Sequence, residues 1–334
     1  MKTQVYNRFF NQEIWLKVNT DNKELLDDFL LELKQSKKSE QTIYQYSRDI
    51  MGIFCYVYEH LGNEYILNLA KKDFRKFSLY LTDGCGVSNA RHNRLLSSLR
   101  SLLDFAEEND DDYVYDINMA KKVKTLSKDP VRSIMFLSDI QVLKLMNELI
   151  KREEFQKATL LMLAYDSAGR KGELAQVEKH SFYDSNKNNT NIVVGKGGKQ
   201  FPLIYFHHTK ECANLWLEQR GFDHIELLWV VDLEGNRRPA DKHNVYDWFV
   251  VMKNLLSEIE EEEVNFSVHS LRHTSLQNYS DGTHYVCREG EQSQGIPIEK
   301  LKLLANHSDI STTSGYLKDN SISELENLFG INIT

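Results

Sequence analysis

The sequence predicts a mainly α-helical protein that also contains one small antiparallel β-sheet. Apolar residues recur at helical spacing through most of the chain, which is typical of amphipathic helices. The pattern becomes β-rich around residues 191–205, on either side of a glycine-rich turn. Strands that do not alternate regularly with helices argue against a doubly wound α/β fold. We therefore expect a helical domain followed by a mixed α/β domain.

The composition fits a globular protein of about two domains. The chain has 334 residues, of which 41% are hydrophobic and only 4 are proline. This apolar content is enough to build packed cores, so a disordered, collagenous or low-complexity chain is excluded. The net charge of −8 argues mildly against phosphate binding over the whole surface. A nucleic-acid surface would have to be local.

The cysteines and the N-terminus predict the compartment. Cys55, Cys85, Cys212 and Cys287 lie far apart and form no CxxC pair, so neither a disulfide framework nor a zinc site is expected. The N-terminus lacks the apolar core of a signal peptide, and the longest apolar runs are too short to cross a bilayer. We expect a soluble, cytoplasmic protein without membrane contact.

The first third of the sequence predicts four short helices, which we assign to a domain at residues 1–112. Short connections favour antiparallel packing of neighbouring helices into one compact unit. The predicted helices cover Asn22–Gln35, a stretch opened by Ser39, Lys72–Leu81 and a stretch from Ser88 to Phe105.

Basic side chains mark candidate surfaces for the phosphate backbone of DNA, whose neutralisation supplies much of DNA affinity. Arg91 and Arg94 are three residues apart and share a helix face. A polar, basic segment without apolar periodicity predicts an interdomain linker at residues 113–135. Solvated helix faces have the same composition, so both interpretations stay open. The candidate DNA-binding residues are Lys71, Lys72, Arg75, Lys76, Arg91, Arg94, Lys121, Lys122, Lys124 and Arg132.

Residues 136–334 form the second predicted domain, which ends in a short apolar stripe that predicts a C-terminal tail helix. Asn191–Val194 and Phe201–Tyr205 are β-rich, and the glycines and lysines between them predict a hairpin. The predicted helices cover Asp139–Ile150, Glu153–Ser167, Thr209–Gln219, Asn244–Leu256, Val268–Tyr279 and Ile298–Ala305.

Four places in this domain concentrate polar, reactive side chains. They are Arg170 with Glu173, the hairpin lysines Lys196 and Lys199, His269 with Arg272, and His307 followed by Tyr316. Each has a structural explanation when taken singly, such as an ion pair or half-buried packing. Together, arginines and imidazoles suit the non-bridging oxygens of a phosphodiester, where charge builds in the transition state. A tyrosine becomes a nucleophile when cations and a base help to remove its proton.

Other reaction classes have little support in the sequence. It contains neither a Walker-type phosphate-binding motif nor an HExxH motif. Its carboxylates form no cluster placed to hold two metal ions, which argues against metal-assisted hydrolysis. We expect no metal and no cofactor.

The motifs in chain order are Arg170 with Glu173, Gly195-Lys196-Gly197, His269-x-x-Arg272, and His307 nine residues before Tyr316. This order resembles the catalytic signature of the tyrosine recombinases, the family of phage-type integrases and of the Xer and Cre-like enzymes. The resemblance covers nearly the whole chain. It implies that residues 1–112 form a helical, SAM-like core-binding domain and that residues 136–334 form the mixed α/β catalytic domain.

The resemblance also implies a reaction. Tyr316 would attack the scissile phosphate to form a 3′-phosphotyrosyl link and release a 5′-hydroxyl. Arg170 and Arg272 would clamp that phosphate. A second strand would then attack the phosphotyrosine, so bond energy is kept and neither ATP nor metal is required.

The remaining side chains have supporting roles by the same resemblance. Lys196 would protonate the leaving 5′ oxygen, and Lys199 is the weaker candidate because the family's lysine usually lies in GKG. His269 would assist deprotonation of the tyrosine, and His307 would hydrogen-bond the phosphate. Glu173 would orient the site.

The resemblance implies a site-specific recombinase of a mobile element that acts on duplex DNA. The active form would be a homo-multimer, namely a tetramer on two DNA sites. Accessory proteins are further candidate partners. Asn306 replaces a glycine that is common in the family, and residues 281–295 look like an inserted loop. Docking of the tail helix within its own domain or on a neighbouring protomer stays open. So do two rival functions: a type IB topoisomerase or hairpin telomere resolvase, and a DNA-binding regulator that has lost catalysis.

Overall fold

The computed structural model describes residues 10–127, 135–233, 235–290 and 295–317. The chain divides into two compact units, Met1–Arg132 and Ser133–Thr334. Each unit has its own hydrophobic core. Helices dominate both units, and the strands form small antiparallel sheets, so the predicted fold class is confirmed. Within the described ranges, no helix combines the length and apolar content needed to cross a membrane.

The first unit contains the four predicted helices and one more at its N-terminus. Ser39 and Ser88 cap two of these helices, because each side chain accepts a hydrogen bond from a backbone N–H of the first turn. Phe29, Phe54 and Leu99 are buried in the core that the helices enclose. The helices are α1 (Gln12–Lys17), α2 (Thr20–Gln35), α3 (Glu40–His60), α4 (Lys71–Leu79) and α5 (Asn89–Glu108).

The first unit continues beyond α5 through residues that the sequence analysis assigns to a linker. Tyr115, Ala120 and Val123 are buried in its core. Arg100 of α5 donates hydrogen bonds to the carbonyl oxygens of Ala120, at 3.2 Å, and Val123, at 2.6 Å. The described part of the segment is therefore packed on α5. Its short 3₁₀ turn, Met119–Lys122, has no apolar periodicity to reveal this packing.

The second unit is built around one central helix. Every residue from Ala158 to Ser167 in this helix is buried, since neighbouring helices cover it on several sides. The helices of the unit are α6 (Asp139–Lys151), α7 (Phe155–Ser167, the central one), α8 (Lys171–Leu174), α9 (His207–Arg220), α10 (Lys242–Glu260), α11 (Val268–Ser280), α12 (Tyr285–Glu289), α13 (Ile298–Leu304) and α14 (Ile310–Ser314).

Two antiparallel hairpins complete the second unit. The predicted one pairs β1 (Asn189–Val194) with β2 (Gln200–Ile204). A second hairpin pairs β3 (Val230–Leu233) with β4 (Asn236–Pro239). The sequence does not predict it, because Asn-Arg-Arg-Pro in β4 contains none of the β-branched or aromatic residues typical of strands.

The predicted insertion, residues 281–295, is packed into the second unit where it is described. Tyr285 of α12 is buried, and its hydroxyl donates to Oδ1 of the buried Asp166 at 2.7 Å. Its backbone N–H donates to Oδ1 of Asp139 at 2.9 Å. The described part of this segment that contains α12 is thus packed into the core. The predicted C-terminal tail helix lies outside the described residues.

Candidate active site

Arg170 directly precedes α8 and is held at two points by one carboxylate. Its backbone N–H donates to Oε2 of Glu173 at 2.8 Å, and its Nη1 donates to Oε1 at 3.0 Å. Glu173 is buried, whereas the Arg170 side chain keeps 30% of its surface exposed. The carboxylate thereby orients a guanidinium group that still reaches solvent.

The turn between α7 and Arg170 prepares the site for a second arginine. Ala168 has a left-handed backbone conformation, with φ 50°, where it ends α7. This conformation costs about 1 kcal/mol for a residue with a side chain. The Ala168 carbonyl accepts a hydrogen bond from Nη1 of Arg272 on α11.

Arg272 is buried and held in one orientation by fixed acceptors. Its Nη2 donates to the Ala305 carbonyl at 2.6 Å and to Nε2 of His307 at 2.8 Å. Among the residues that the structure describes, its Nε–H has no hydrogen-bond partner. Burial and then the charge of Arg170 lower the pKa of Arg272 to about 10. An anion bound here would relieve both the desolvation and the repulsion.

A cavity of about 320 Å³ is lined by both arginines. His269 and Tyr246 also line this cavity, and Nζ of Lys171 lies 5.5 Å from the centre of the Tyr246 ring. The cavity thus presents cations, an imidazole and an aromatic ring to a ligand, which suits a phosphodiester with its attached sugar and base.

His307 is buried as a neutral imidazole of defined tautomer. Arginine can only donate, so Nε2 of His307 accepts from Arg272 and the proton lies on Nδ1. Nδ1 then donates to Oγ1 of Thr313 at 2.9 Å. Burial and the nearby charge of Arg272 lower the pKa of His307 to about 4. Asn306, which precedes it, has φ 54°, and asparagine tolerates this left-handed conformation better than most residues. This explains how asparagine can replace glycine at this position.

We expect the second unit to lose stability as the pH falls from 6.5 towards 4. The upper limit is the ordinary pKa of histidine, and the lower limit is the lowered pKa of His307 in the folded protein. The unfolded chain takes up a proton first, so stabilisation present above pH 6.5 is lost as the pH falls through this window. The part of this loss that comes from His307 is about 3 kcal/mol at most. Urea unfolding of the wild type and His307→Asn measures it across this range. The variant should show a shallower pH dependence, and equal slopes would contradict the assignment.

Tyr316 lies among the imidazoles of the site. Its half-buried ring is centred 5.1 Å from the ring of His307 and 5.6 Å from the ring of His269. The Cζ of Arg272 lies 5.1 Å from the centre of the tyrosine ring. Partial burial and the charges of Arg272 and Arg170 lower the pKa of His269, so this imidazole is neutral at neutral pH. A neutral imidazole close to a tyrosine can act as its base.

The structure gives the two hairpin lysines different surroundings. Lys196 is exposed in the turn, whereas the ammonium group of Lys199 donates to Oγ of Ser308, next to His307. Gly195, at the start of the turn, packs closely against Phe201 and Glu173. A Cβ at this position would lie only 2.7 Å from the Phe201 ring and 3.1 Å from Oε1 of Glu173. The hairpin therefore rests against the carboxylate that holds Arg170.

One residue of this site, His273, is not among the predicted site residues. His273 follows Arg272 on α11 and lies four residues after His269, which places the two imidazoles on the same helix face. Its ring stacks on that of Tyr316, with centroids 4.3 Å apart. The helical spacing of the two histidines could have indicated it.

Four of the candidate DNA-binding residues form ion pairs in the first unit, and three of them pair with carboxylates outside their own helix. Arg91 and Arg94 contact the buried carboxylate of Asp49 at 2.7 and 3.3 Å. Lys121 lies 2.6 Å from Asp104 and 2.9 Å from Glu107. These pairs give all three a structural role, so any contact with DNA would have to compete with it.

The other candidates on the first unit differ in their exposure. Lys71 is half-buried, and Lys76 lies 3.4 Å from Asp73. Arg132 lies outside the described residues. Among these other candidates, the exposed ones are Lys72, Arg75, Lys76, Lys122 and Lys124.

Possible metal ligands come together on the second unit at α9 and α12. His207, His208 and Glu289 place ligand atoms within 4.8 Å of one another. His207 and Glu289 are exposed and lie 3.4 Å apart, as an ordinary surface pair does. None of the three belongs to the cluster around Tyr316, and we assign no metal to them.

Comparison with known proteins places both units in one family. Residues 135–321 match the phage integrase family, and residues 26–109 match the N-terminal SAM-like domain of phage integrases. The SPbeta prophage-derived recombinase-like protein YomM of Bacillus subtilis is 24% identical, over 90% of this chain and 88% of that protein. Tyrosine recombinase XerA of Thermococcus kodakarensis is 26% identical, over 88% of this chain and 90% of that protein.

Solved structures show the same fold. A lambda integrase (residues 75–356) dimer bound to a COC′ core site has a TM-score of 0.64 and 16% identity, covering 89% of this chain and 95% of that one. XerH recombinase in a post-cleavage complex with palindromic difH has a TM-score of 0.65 and 15% identity, covering 87% and 80%. The family match spans more than half of the length of this chain. The chain therefore belongs to the phage integrase family, a family of tyrosine recombinases.

Proposed function

We propose that this protein is a site-specific DNA recombinase that cuts and rejoins duplex DNA through a covalent 3′-phosphotyrosine at Tyr316. The observation that carries the proposal is the clustering of Tyr316 with Arg272, His269 and His307. Arg272 and His269 also line the cavity that Arg170 lines, which joins this cluster to the second guanidinium group. Family membership supports the same reaction. The predicted cytoplasmic location and accessory proteins stay predictions.

The two arginines would hold the scissile phosphate. Arg170 reaches solvent and is oriented by Glu173. Arg272 is held by backbone carbonyls, and its Nε–H has no hydrogen-bond partner within the described part of the chain. A phosphate oxygen would supply the acceptor that this donor lacks. The guanidinium groups would also stabilise the extra negative charge of the pentacoordinate transition state, since they are oriented before the substrate arrives.

Tyr316 would attack the phosphorus while its hydroxyl proton moves to His269. The bond between phosphorus and the 5′ oxygen breaks, and that oxygen leaves as a hydroxyl once it is protonated. The phosphate remains attached to the tyrosine as a diester. Attack by the 5′-hydroxyl of another strand then restores the tyrosine, so no external source of energy is required.

Separate roles are proposed for the two hairpin lysines. Lys196 is the general acid for the 5′ oxygen, and Lys199 positions the loop that carries His307 through its bond to Ser308. We expect Lys196→Ala to slow single-turnover cleavage by about 10²- to 10⁴-fold. A substrate with sulfur at the 5′ bridging position should restore the rate, since a thiolate leaves without a proton.

Lys199→Ala is the matched control, and the sulfur substrate should not restore whatever rate it loses. If instead only Lys199→Ala is rescued by sulfur, then the general acid is Lys199 and the assignment of Lys196 is wrong.

Duplex DNA is the proposed partner, with a homo-multimer, a tetramer on two sites, as the active form. The DNA-bound lambda integrase and XerH structures support DNA as partner. Lys72, Arg75 and Lys76 project from α4 as exposed cations and are the candidates for phosphate contacts in the first unit.

Strand exchange tests the proposed function directly. A plasmid carrying two copies of the DNA that flanks the protein's own gene would be incubated with the protein in chelator, without nucleotide. We expect a deletion circle whose junction is joined at the repeated site. Relaxed plasmid without exchange would favour a type IB topoisomerase, hairpin ends a telomere resolvase, and binding without cleavage a regulator.

A further inference from the structure

His273 makes two contacts with Tyr316. Nδ1 of His273 lies 2.9 Å from the backbone carbonyl oxygen of Tyr316. A carbonyl oxygen can only accept, so Nδ1 carries the proton and donates it. The imidazole also stacks on the tyrosine ring, with an interplanar angle of 28°. The backbone and the ring of Tyr316 are therefore fixed by the same side chain.

His273 also contacts His269. The two Nε2 atoms lie 3.3 Å apart. A neutral imidazole with its proton on Nδ1 has a lone pair on Nε2, so His273 accepts here and His269 donates. The proton of His269 thus lies on Nε2, which leaves its lone pair on Nδ1. Burial is the main cause that lowers the pKa of both histidines, so both are neutral at neutral pH.

We propose that His273 is a positioning residue for DNA cleavage, which holds Tyr316 in place and fixes the tautomer in which His269 can take up its proton. The inference rests on the proposed function and adds a residue to it. His273 is only 4% exposed and acts through its two neighbours, so it forms and breaks no covalent bond. Misplacement of reacting groups by about 1 Å costs on the order of 10²-fold in rate.

Three variants separate the contacts of His273. His273→Phe keeps an aromatic ring for stacking but has neither hydrogen bond. His273→Asn places an amide N–H where Nδ1 lies, so it can still donate to the Tyr316 carbonyl. His273→Gln places an amide near the position of Nε2, towards His269. Ser275→Ala is the control. Ser275 is buried on α11, as His273 is, but its hydroxyl donates to the Tyr165 carbonyl of α7 and not to Tyr316.

The experiment measures single-turnover covalent complex formation on nicked DNA, with DNA affinity and urea unfolding measured in parallel. We expect His273→Phe to slow cleavage about 10²-fold at unchanged DNA affinity. His273→Asn should recover part of this loss. A substrate with sulfur at the 5′ bridging position should not restore the rate of His273→Phe, since the defect lies in the nucleophile and not in the leaving group.

The proposal is overturned if His273→Phe cleaves at the wild-type rate, or if Ser275→Ala slows cleavage equally at an equal loss of stability. Rescue of His273→Phe by sulfur would also overturn it. If His273→Phe does not fold, the rates of His273→Asn and His273→Gln decide, and wild-type rates in both would contradict the proposal. Failure of the wild type to form any covalent complex would instead contradict the proposed function.

Discussion

Tyr316→Phe is expected to abolish covalent protein–DNA complexes while leaving DNA affinity unchanged. The substitution removes only the hydroxyl oxygen that would attack phosphorus. The remaining ring can keep its stacking on His273 and its contact with Arg272. Stability should therefore change by no more than about 1 kcal/mol. The measurement is a denaturing gel of nicked substrate, from which the short 5′-hydroxyl fragment diffuses away so that the attached protein cannot reverse.

Tyr246→Phe is the matched control for this substitution. Tyr246 lines the cavity beside Arg170 and Arg272, so it is a second tyrosine hydroxyl in the same part of the molecule. We expect this variant to form covalent complexes. Complexes that persist in Tyr316→Phe and vanish in Tyr246→Phe would move the nucleophile to Tyr246.

Arg272→Ala is expected to reduce the cleavage rate by at least about 10³-fold, because it removes donors aimed at the developing charge. It should also destabilise the second unit by about 2–4 kcal/mol. The guanidinium group satisfies the carbonyls of Ala168 and Ala305 and donates to His307, and all three acceptors would lose their partner. The rate is measured at a low temperature where the variant is folded, and stability by urea unfolding.

Arg220→Ala separates these two effects. Arg220 is also buried in the second unit, where it pairs with Asp223 and donates to the carbonyls of Ile225, Leu227 and Leu228. This variant should lose stability but keep the cleavage rate of its folded fraction. Equal loss of rate in both variants would mean that Arg272 acts only through the fold.

Much of the fold could be predicted because the local signals are strong. Three helices begin directly after a serine that precedes an apolar stripe: Ser39, Ser88 and Ser138. Each serine hydroxyl accepts a hydrogen bond from a backbone N–H in the first turn of its helix. The hairpin β1–β2 follows from its glycine-rich turn. The site motifs could be found for the same reason, since each is a short run with fixed spacing.

What could not be predicted depends on contacts between distant segments. Arg91 and Arg94 look like free cations on one helix face until α3 brings the buried Asp49 against them. Lys199 looks like a second lysine in a turn until the loop after α13 places Ser308 beside it. Neither pairing leaves a periodic or compositional trace in the sequence.

The central claim is that Tyr316 becomes covalently attached to DNA, and mass spectrometry of the trapped complex tests it most directly. Trypsin should release residues 303–318, in which Tyr316 is the only tyrosine. After nuclease digestion, we expect this peptide to carry a nucleotide joined through phosphate to the tyrosine oxygen. A nucleotide on any other peptide, or a trapped complex with this peptide unmodified, would contradict the claim.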